Sequence, residues 1–410
     1  MARPATKSAA MYVLKRLRSA GFEALFAGGS VRDMLLGRKS YDYDVATNAT
    51  PKEVERLFPH VLLVGAQFGV AMVIHQGRRV EVTTFRSDES YSDGRRPDAV
   101  RFSDAKQDAL RRDFTINGMF YDPIADEVID YIGGREDLKR GVIRTIGKPD
   151  DRFDEDYLRM IRAVRFAVRL GFSIEPSTAE GIRKYAANVK SVSGERIFEE
   201  LWRMLAEPSA AEALRRMAEL GLAGHVLGEL FEAGAWEPAV ERVEYVASRR
   251  DPILTLAATL VDLPPRNINA VTRRWGASNE LRNAVRWMHE HLRDWRRAEE
   301  MPLRELKRLM ASEHFERLRR LWRFQERRET GRESLSRRIA GRVKSIPADA
   351  VAPPPLITGA DLMEMGVASG PEMGRILREI YDAQLDENIA TRDEAIAMAQ
   401  ELAEAMGKRQ

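Results

Sequence analysis

The chain has no cysteine in its 410 residues. That excludes a disulfide framework and a thiolate zinc site, and makes a reducing interior its natural home. Long apolar runs are also scarce. The best, ILTLAATLV at 253–261, falls far short of the ~20 residues a membrane helix requires. The first 24 residues contain no unbroken apolar core of a secretory leader. These absences lead to a cytoplasmic protein with no membrane partner. A Walker A loop, a Rossmann fingerprint and a serine nucleophile elbow are likewise missing. Histidine is rare, and the HEH at 289–291 puts its two imidazoles on opposing sides of a helix. Such a pair cannot chelate as an i, i+4 pair would. No fixed-period repeat is evident, and low complexity is confined to the PPP at 353–355.

What is present is an ordinary globular composition in a chain too long for one core, which suggests roughly two to four domains. Net charge is only +3, yet it is unevenly spread. Residues 271–344 carry 21 basic and 11 acidic side chains, whereas 345–410 carry 5 and 12. Trp275, Trp287, Trp295 and Trp322 interleave the basic block. Arginines so placed could track a phosphate backbone while the aromatics stack or pack. The plainer alternative is a set of helices such as EHFERLRRLWRFQERR with Leu and Trp in the core and solvated charged faces.

Short apolar runs separated by turns dominate residues 1–147. EALFAGG, YDYDVAT, VLLVGAQFGVAMVIHQG and RRVEVTTF read as strands, and VRDMLLG and PKEVERLF as helical pieces. From about Asp151 helical periodicity takes over and holds to the end, broken at Gly171, Pro176, Pro252, Pro264 and the triple proline. The predicted fold is α+β: a mixed-sheet head followed by an all-α remainder. The expected division is a head over 1–147, a neck over 148–208, a body over 209–300 and a tail over 301–410.

Two features of residues 25–47, LFAGGSVRDMLLGRKSYDYDVAT, carry chemistry. Gly28 and Gly29 can bring backbone N–H groups close to an anion, and Ser30 and Arg32 add a hydroxyl and a fork of donors. Strand alternation in YDYDVAT projects Asp42 and Asp44 from one face, with Tyr43 and Val45 on the other. Two carboxylates so placed are the minimum for holding two Mg2+ ions in nucleotidyl transfer. RRVEVTTF supplies the expected third, Glu81, with Thr83 and Phe85 on its side and Val80 and Val82 behind.

GGSVRDMLLG followed by DYDVAT resembles the active-site signature of the DNA polymerase β nucleotidyltransferase superfamily. RRDFTINGMFYDP at 111–123, RFDEDYLRMIRAVRFAVRLGF at 152–172 and SGERIFEELWRML at 193–205 are similar to successive motifs of the class II tRNA CCA-adding enzymes and their relatives, the bacterial poly(A) polymerases. The segment from PPPLITGADL to TRDEAI resembles the tail of the bacterial CCA-adding members. The likeness covers nearly the whole chain and is weakest from about 210 to 350. It implies a template-independent enzyme that completes tRNA from CTP and ATP, with two Mg2+ ions and no obligatory protein partner. Neighbouring possibilities are an A-only or CC-only tRNA enzyme, a poly(A) polymerase, and, more remotely, a non-catalytic RNA-binding protein. The acidic C-terminus speaks against the poly(A) polymerase.

In EDYLR, Asp156 and Arg159 are three apart and expected to share one helix face. A carboxylate that accepts beside a guanidinium that donates matches the Watson–Crick edge of cytosine and, with a small swing, that of adenine. Uracil and guanine present the reverse pattern. The resemblance implies this base-reading role for Asp156 and Arg159. Arg111, Arg112, Arg162 and Arg165 form a cluster suited to a triphosphate, and Asp113 and Asn117 are candidates for contacting ribose or orienting the arginines. RSDESYSDGRRPDAV at 86–100 reads as a mobile loop. In the family a loop at this position is needed for terminal adenosine addition. Two departures from the family pattern stand out: Gly118, where alanine is frequent, and GVAMV in the strand beside the metal site.

Overall fold

In the computed structural model the alternating segments of the first third of the chain join one mixed sheet. Its strands are β1 (Arg3–Pro4), β2 (Ala24–Ala27), β3 (Asp44–Thr47), β4 (Val61–Leu62), β5 (Val70–His75) and β6 (Arg78–Thr84), with β9 (Phe120–Asp122) and β10 (Glu127–Ile129). The order is β10-β9-β2-β3-β6-β5-β4, with β1 also paired to β6. β3 and β1 run parallel to β6, and the other pairings are antiparallel. The structure describes residues 3–40, 42–64, 68–89 and 99–407. They fall into two compact units, Met1–Pro252 with Asn269–Ala277, and Ile253–Ile268 with Ser278–Gln410.

Each face of the sheet has its own cover. Helix α1 (Lys7–Ser19) buries Ala9, Ala10, Val13, Leu14 and Leu17 and packs on β2, β3 and β6, whose Phe26, Val45, Val80 and Val82 are also buried. Each fully buried Leu or Val contributes about 1.5–3 kcal/mol. On the opposite face, Leu25, Ala27, Ala46, Phe85 and Phe120 form a core with Ala105 and Ala109 of α4 (Ala105–Leu110). Helices α2 (Gly29–Leu35) and α3 (Pro51–Leu57) lie between strands in sequence, α3 opening on a capping box made by Thr50 and Glu53. The ends of the predicted loop at 86–100 are themselves strands, β7 (Arg86–Glu89) and β8 (Ala99–Phe102), paired antiparallel. Residues 90–98 of that loop lie outside the described residues.

Helix α5 (Gly134–Arg140) leads to the helical part of this unit: α6 (Pro149–Glu155), α7 (Leu158–Leu170), α8 (Pro176–Tyr185), α9 (Gly194–Leu205) and α10 (Ala210–Glu219). A small departure from all-helical periodicity follows Gly171, whose left-handed backbone ends α7. There β12 (Ser173–Ile174) turns back to pair in parallel with β11 (Val142–Ile143). The start of α9 is pressed against the chain at 274–275, since a Cβ on Gly194 would fall 1.7 Å from the Arg274 carbonyl oxygen. Phe198 stacks on Trp275 there, centroids 5.5 Å apart.

The second unit is helical. Trp295, Leu306, Phe315, Leu318, Leu321 and Trp322 are among its buried residues. Its C-terminal helices enclose a separate cluster including Ile357, Leu362, Ile376, Ile380, Ala395 and Ala399. Helix Leu303–Met310 contacts the helix Pro371–Leu385 of that cluster and forms ion pairs with it and the residues just after it: Arg308 with Asp382, Arg304 with Asp386, and Lys307 with Glu387 at 2.9 Å. Among the described residues, no helix is long and apolar enough to cross a membrane.

Candidate active site

Strand register gathers the first group of side chains. Ala27 pairs with Asp44 across β2 and β3, so the end of β2, with Gly28 just beyond, meets the start of β3. Val45 pairs with Val82 across β3 and β6, which brings Asp44 opposite Glu81 on the same face. Gly28 N–H donates to Met119 O at 3.3 Å and draws the segment 117–119 to the same end. Gly28 has φ 67°, and a Cβ there would lie 3.1 Å from Arg112 Nη1, so both backbone and space require glycine. The cleft that results, about 500 Å³, is lined by Gly28, Gly29, Asp44 and Glu81 together with Asp156, Arg159 and Arg162.

Asp44 is pushed up to about 7, by burial first and then by the charges of Glu81 and Asp42, with Arg112 pulling the other way. Glu81 is raised by burial and by Asp42. Carboxylates that raise one another mark a site short of positive charge, and oxygen donors suit a hard divalent cation. The donor set therefore fits magnesium. Among the described residues, however, no three acidic or imidazole side chains are drawn into a ready ion cage. Asp42 lies before β3, not in it, is exposed, and accepts from Ala5 N–H at 3.4 Å. The strand alternation read from YDYDVAT thus begins only at Asp44.

A continuous ladder of charge-assisted hydrogen bonds runs along the cleft. Arg32 donates Nε and Nη2 to Asp33 Oδ1 (2.8 and 2.7 Å) and Nη1 to Asn117 Oδ1 (2.7 Å). Asn117 Nδ2 donates to Asp113 Oδ1 at 3.1 Å, and Asp113 Oδ2 accepts Nη2 and Nε of Arg162 at 2.6 and 3.0 Å. Arg162 Nη1 and Arg165 Nε both reach Glu200 of α9. Burial alone would raise Asp113, but Arg162 outweighs it, helped by Asn117, and the carboxyl is held down at about 2. The guanidinium groups of Arg32, Arg162 and Arg165 also lie 5.2, 5.4 and 4.2 Å from the centroid of the Phe166 ring. Beside the ladder, Asp108, fully buried, takes Arg111 at 2.7 Å and Arg112 at 2.9 Å. These two guanidiniums outweigh its burial and hold its carboxyl low.

The proposed base-reading pair does not share a helix face. α6 ends at Glu155, Asp156 is extended (φ −161°, ψ 104°), and α7 begins at Leu158. The reason is local: Asp156 Oδ1 accepts the Leu158 N–H at 3.1 Å, so the side chain competes for backbone donors and starts a new helix. Arg159 pairs with Glu155 and also donates to Arg152 O at 3.1 Å. Asp156 pairs with Arg196 of α9 at 2.7 Å. Both residues nevertheless line the same cleft.

Other predicted residues lie elsewhere. Ser30 is buried, and its hydroxyl donates to Ala27 O at 3.0 Å, inside the turn. Arg165 does not line the cleft and is committed to Glu200 behind it. Trp275, Trp295 and Trp322 are buried in their respective units, which favours the plain helical reading of the basic block. Several of its arginines are internally paired, including Arg296 with Glu329 and Arg338 with Glu299. His289 meets Val261 O and His291 meets Asp294, so their Nδ1 atoms have separate partners. Sequence pattern alone gives no role to Asp108, Arg196 or Glu200. For Asp108 a signal exists, the i+3 and i+4 spacing to two arginines in DALRR; for the other two, partners distant in sequence hide the role.

Comparison with known proteins extends these findings. The profile of the poly A polymerase head domain matches residues 24–144. That of an RNA and SrmB-binding site of polymerase A matches 171–233, and that of tRNA nucleotidyltransferase domain 2 matches 248–399. The CCA-adding enzyme of Geobacillus thermodenitrificans is 44% identical over 245 residues, 59% of this chain and 60% of that protein's length. That of Lactobacillus delbrueckii subsp. bulgaricus is 34% identical over 391 residues, covering 95% of this chain and 96% of its own. The crystal structure of the Bacillus stearothermophilus CCA-adding enzyme in complex with CTP superposes with a TM-score of 0.80 at 30% identity, over 98% of each chain.

Proposed function

The chain belongs to the family of CCA-adding tRNA nucleotidyltransferases, and on that premise we propose that it builds the 3′-terminal CCA of tRNA from CTP and ATP without a nucleic-acid template. The observation that carries the reading is the cleft that Asp44 and Glu81 line together with Asp156, Arg159 and Arg162. Carboxylates for the metal and a donor and acceptor for the base are thus available to one nucleoside triphosphate. Asp42 and Asp44, with Glu81, would hold two magnesium ions, whose charge acidifies the tRNA 3′-hydroxyl and offsets the charge of the α-phosphate under attack. The new bond joins the 3′-oxygen to the α-phosphorus, and pyrophosphate leaves.

The chain's own residues do the rest. Gly28 and Gly29 let the turn approach the phosphates without a side chain in the way. Arg111, Arg112 and Arg162 face the β- and γ-phosphates, with Asp108 and Asp113 keeping their forks in place. Arg32 and Asn117 act within the ladder as spacers. Asp156 accepts from the amino group of cytosine or adenine, and Arg159 donates to the ring nitrogen beside it. Each Asp156 oxygen already accepts one hydrogen bond, which leaves a second lone pair on each for the base. The head of 1–147 and neck of 148–208 form the catalytic part in this scheme. The body of 209–300 and tail of 301–410 hold tRNA by shape and phosphate contact, since A-form RNA offers little base readout. The cytoplasm, where tRNA is processed in a reducing medium, suits a chain without cysteine.

The test offers purified protein and magnesium three tRNA transcripts, ending at the discriminator base, at C and at CC, with labelled CTP, ATP or both. Completion of CCA on all three followed by arrest is the expected result. Addition of adenosine to the CC-ended transcript alone, or of cytidines alone, overturns it in favour of a split-pathway enzyme. Long A tracts on any RNA identify a poly(A) polymerase.

A further inference from the structure

Asp156 stands in the extended link between α6 and α7, where its carbonyl accepts the Arg159 N–H at 3.0 Å but its side chain leaves from outside either helix. A side chain asked to discriminate bases there needs an anchor from elsewhere. Helix α9 supplies one. Arg196 Nη2 donates to Asp156 Oδ2 at 2.7 Å while Leu158 N–H holds Oδ1 at 3.1 Å, so the carboxylate plane cannot turn without breaking a bond. Neither partner is fully exposed, their side chains being 21% and 15% accessible, which limits competition from water.

The anchor is itself fixed to the right frame. Four residues along the same helix, Glu200 binds Arg162 and Arg165 of α7, the helix that carries Arg159. On its other side α9 is fastened by Phe198 stacked on Trp275 and by the close approach of Gly194 to the Arg274 carbonyl. A single rigid helix therefore references Asp156 to the element bearing its partner in base reading. Spacing i, i+4 puts Arg196 and Glu200 on one face for this purpose.

We propose that Arg196 is a specificity-determining positioning residue, acting through Asp156 to set the angle at which that carboxylate meets the amino group of the incoming cytosine or adenine. The proposal rests on the assignment of base reading to Asp156 under the proposed function. Its test compares wild type, Arg196→Ala, Arg196→Lys, Asp156→Ala and the Arg196→Ala/Asp156→Ala double variant. The readout is the ratio of kcat/KM for CTP over UTP on discriminator-ended tRNA, and for ATP over GTP on CC-ended tRNA. A ratio is unaffected by the fraction of folded protein, so a merely structural loss does not move it.

Loss of one charge-assisted hydrogen bond is expected to lower both ratios on the order of tenfold in Arg196→Ala, chiefly through KM of the correct nucleotide. Arg196→Lys restores part of the ratio, since an ammonium keeps the charge but not the fork. In the Asp156→Ala background, Arg196→Ala adds nothing further. Ratios preserved in Arg196→Ala while Asp156→Ala relaxes them overturn the positioning role and leave base reading intact. Ratios preserved in Asp156→Ala overturn base reading by Asp156, and the role of Arg196 falls with it. Should Arg196→Ala not accumulate as folded protein, Arg196→Gln takes its place: lowered ratios support the positioning role, and preserved ratios overturn it.

Discussion

Replacing Glu200 with methionine is expected to strand a buried cation. Glu200 is 3% exposed, accepts from Arg165 and from Arg162 at 3.4 Å, and lies 3.6 Å from Arg203 as an ion pair. These three partners differ in what they lose. Arg203 is largely solvated and returns to water at little cost. Arg162 keeps Asp113 at 2.6 Å. Arg165, only 8% exposed, loses its carboxylate altogether. Breaking a buried pair from one side costs about 3–5 kcal/mol. At about 2–4 °C per kcal/mol for a unit of this size, the unfolding midpoint should fall by about 6–20 °C. Removing the partner as well, in Glu200→Met/Arg165→Met, replaces the pair by apolar volume and should recover most of the loss. Arg203→Ala should change stability by less than about 0.5 kcal/mol. Thermal unfolding followed by circular dichroism decides the matter. A Glu200→Met midpoint within about 2 °C of wild type, or a double variant as damaged as the single one, would refute the argument from stranded charge.

Asp44→Asn should abolish nucleotide incorporation while leaving tRNA retention in a filter assay unchanged; substantial residual turnover removes Asp44 from the chemistry. Asp113, held at about 2 against an ordinary 3.8, contributes roughly 2 kcal/mol that is fully present above about pH 4 and disappears as pH falls through its folded value. The urea-midpoint gap between wild type and Asp113→Asn should therefore narrow from pH 4 toward pH 2, and a gap constant with pH contradicts the ion-pair account. At Gly118 a Cβ would fall 2.2 Å from Ile132 Cδ1, so Gly118→Ala should cost about 1–3 kcal/mol and be rescued by trimming Ile132 to valine. Gly194→Ala meets a backbone oxygen at 1.7 Å instead. No side-chain trimming should restore its thermal midpoint.

The strands around the site are legible because RRVEVTTF alternates with period two and EALFAGG holds a short, wholly apolar run closed by glycines. Placing Glu81 beside Asp44 needs only that alternation together with a pairing register. The register itself depends on β3 lying between β2 and β6, a non-local fact that no window of sequence contains. Asp156 shows the opposite failure. Helical spacing runs unbroken through RFDEDYLRMIRAV, and the capping tendency of aspartate, which splits it, is a local rule that periodicity masks. Ser30 and Arg32 look in sequence like donors awaiting an anion, whereas their hydrogen bonds are already committed to Ala27 and to Asp33 and Asn117. Residue type gives a group's capacity; only the fold shows what that capacity is used for. The same limit hides Arg196 and Glu200, whose partners lie about 35 to 40 residues away.

The seam between Leu303–Met310 and the end of Pro371–Leu385 is fastened by charge in a graded way. Lys307 is sheltered, but its partner Glu387 is 61% open to solvent, and Arg308 and Asp382 are 47% and 31% open. Asp386, 14% open, accepts both the guanidinium of Arg304 and its backbone N–H, the latter at 2.7 Å. Mobile ions screen exposed pairs over about 8 Å at physiological ionic strength and reach sheltered ones far less. Rising salt thus slackens the Arg308–Asp382 flank first and leaves the Asp386 carboxylate holding the backbone N–H of Arg304, so that the C-terminal helices gain freedom to swivel about one pin before they gain freedom to leave.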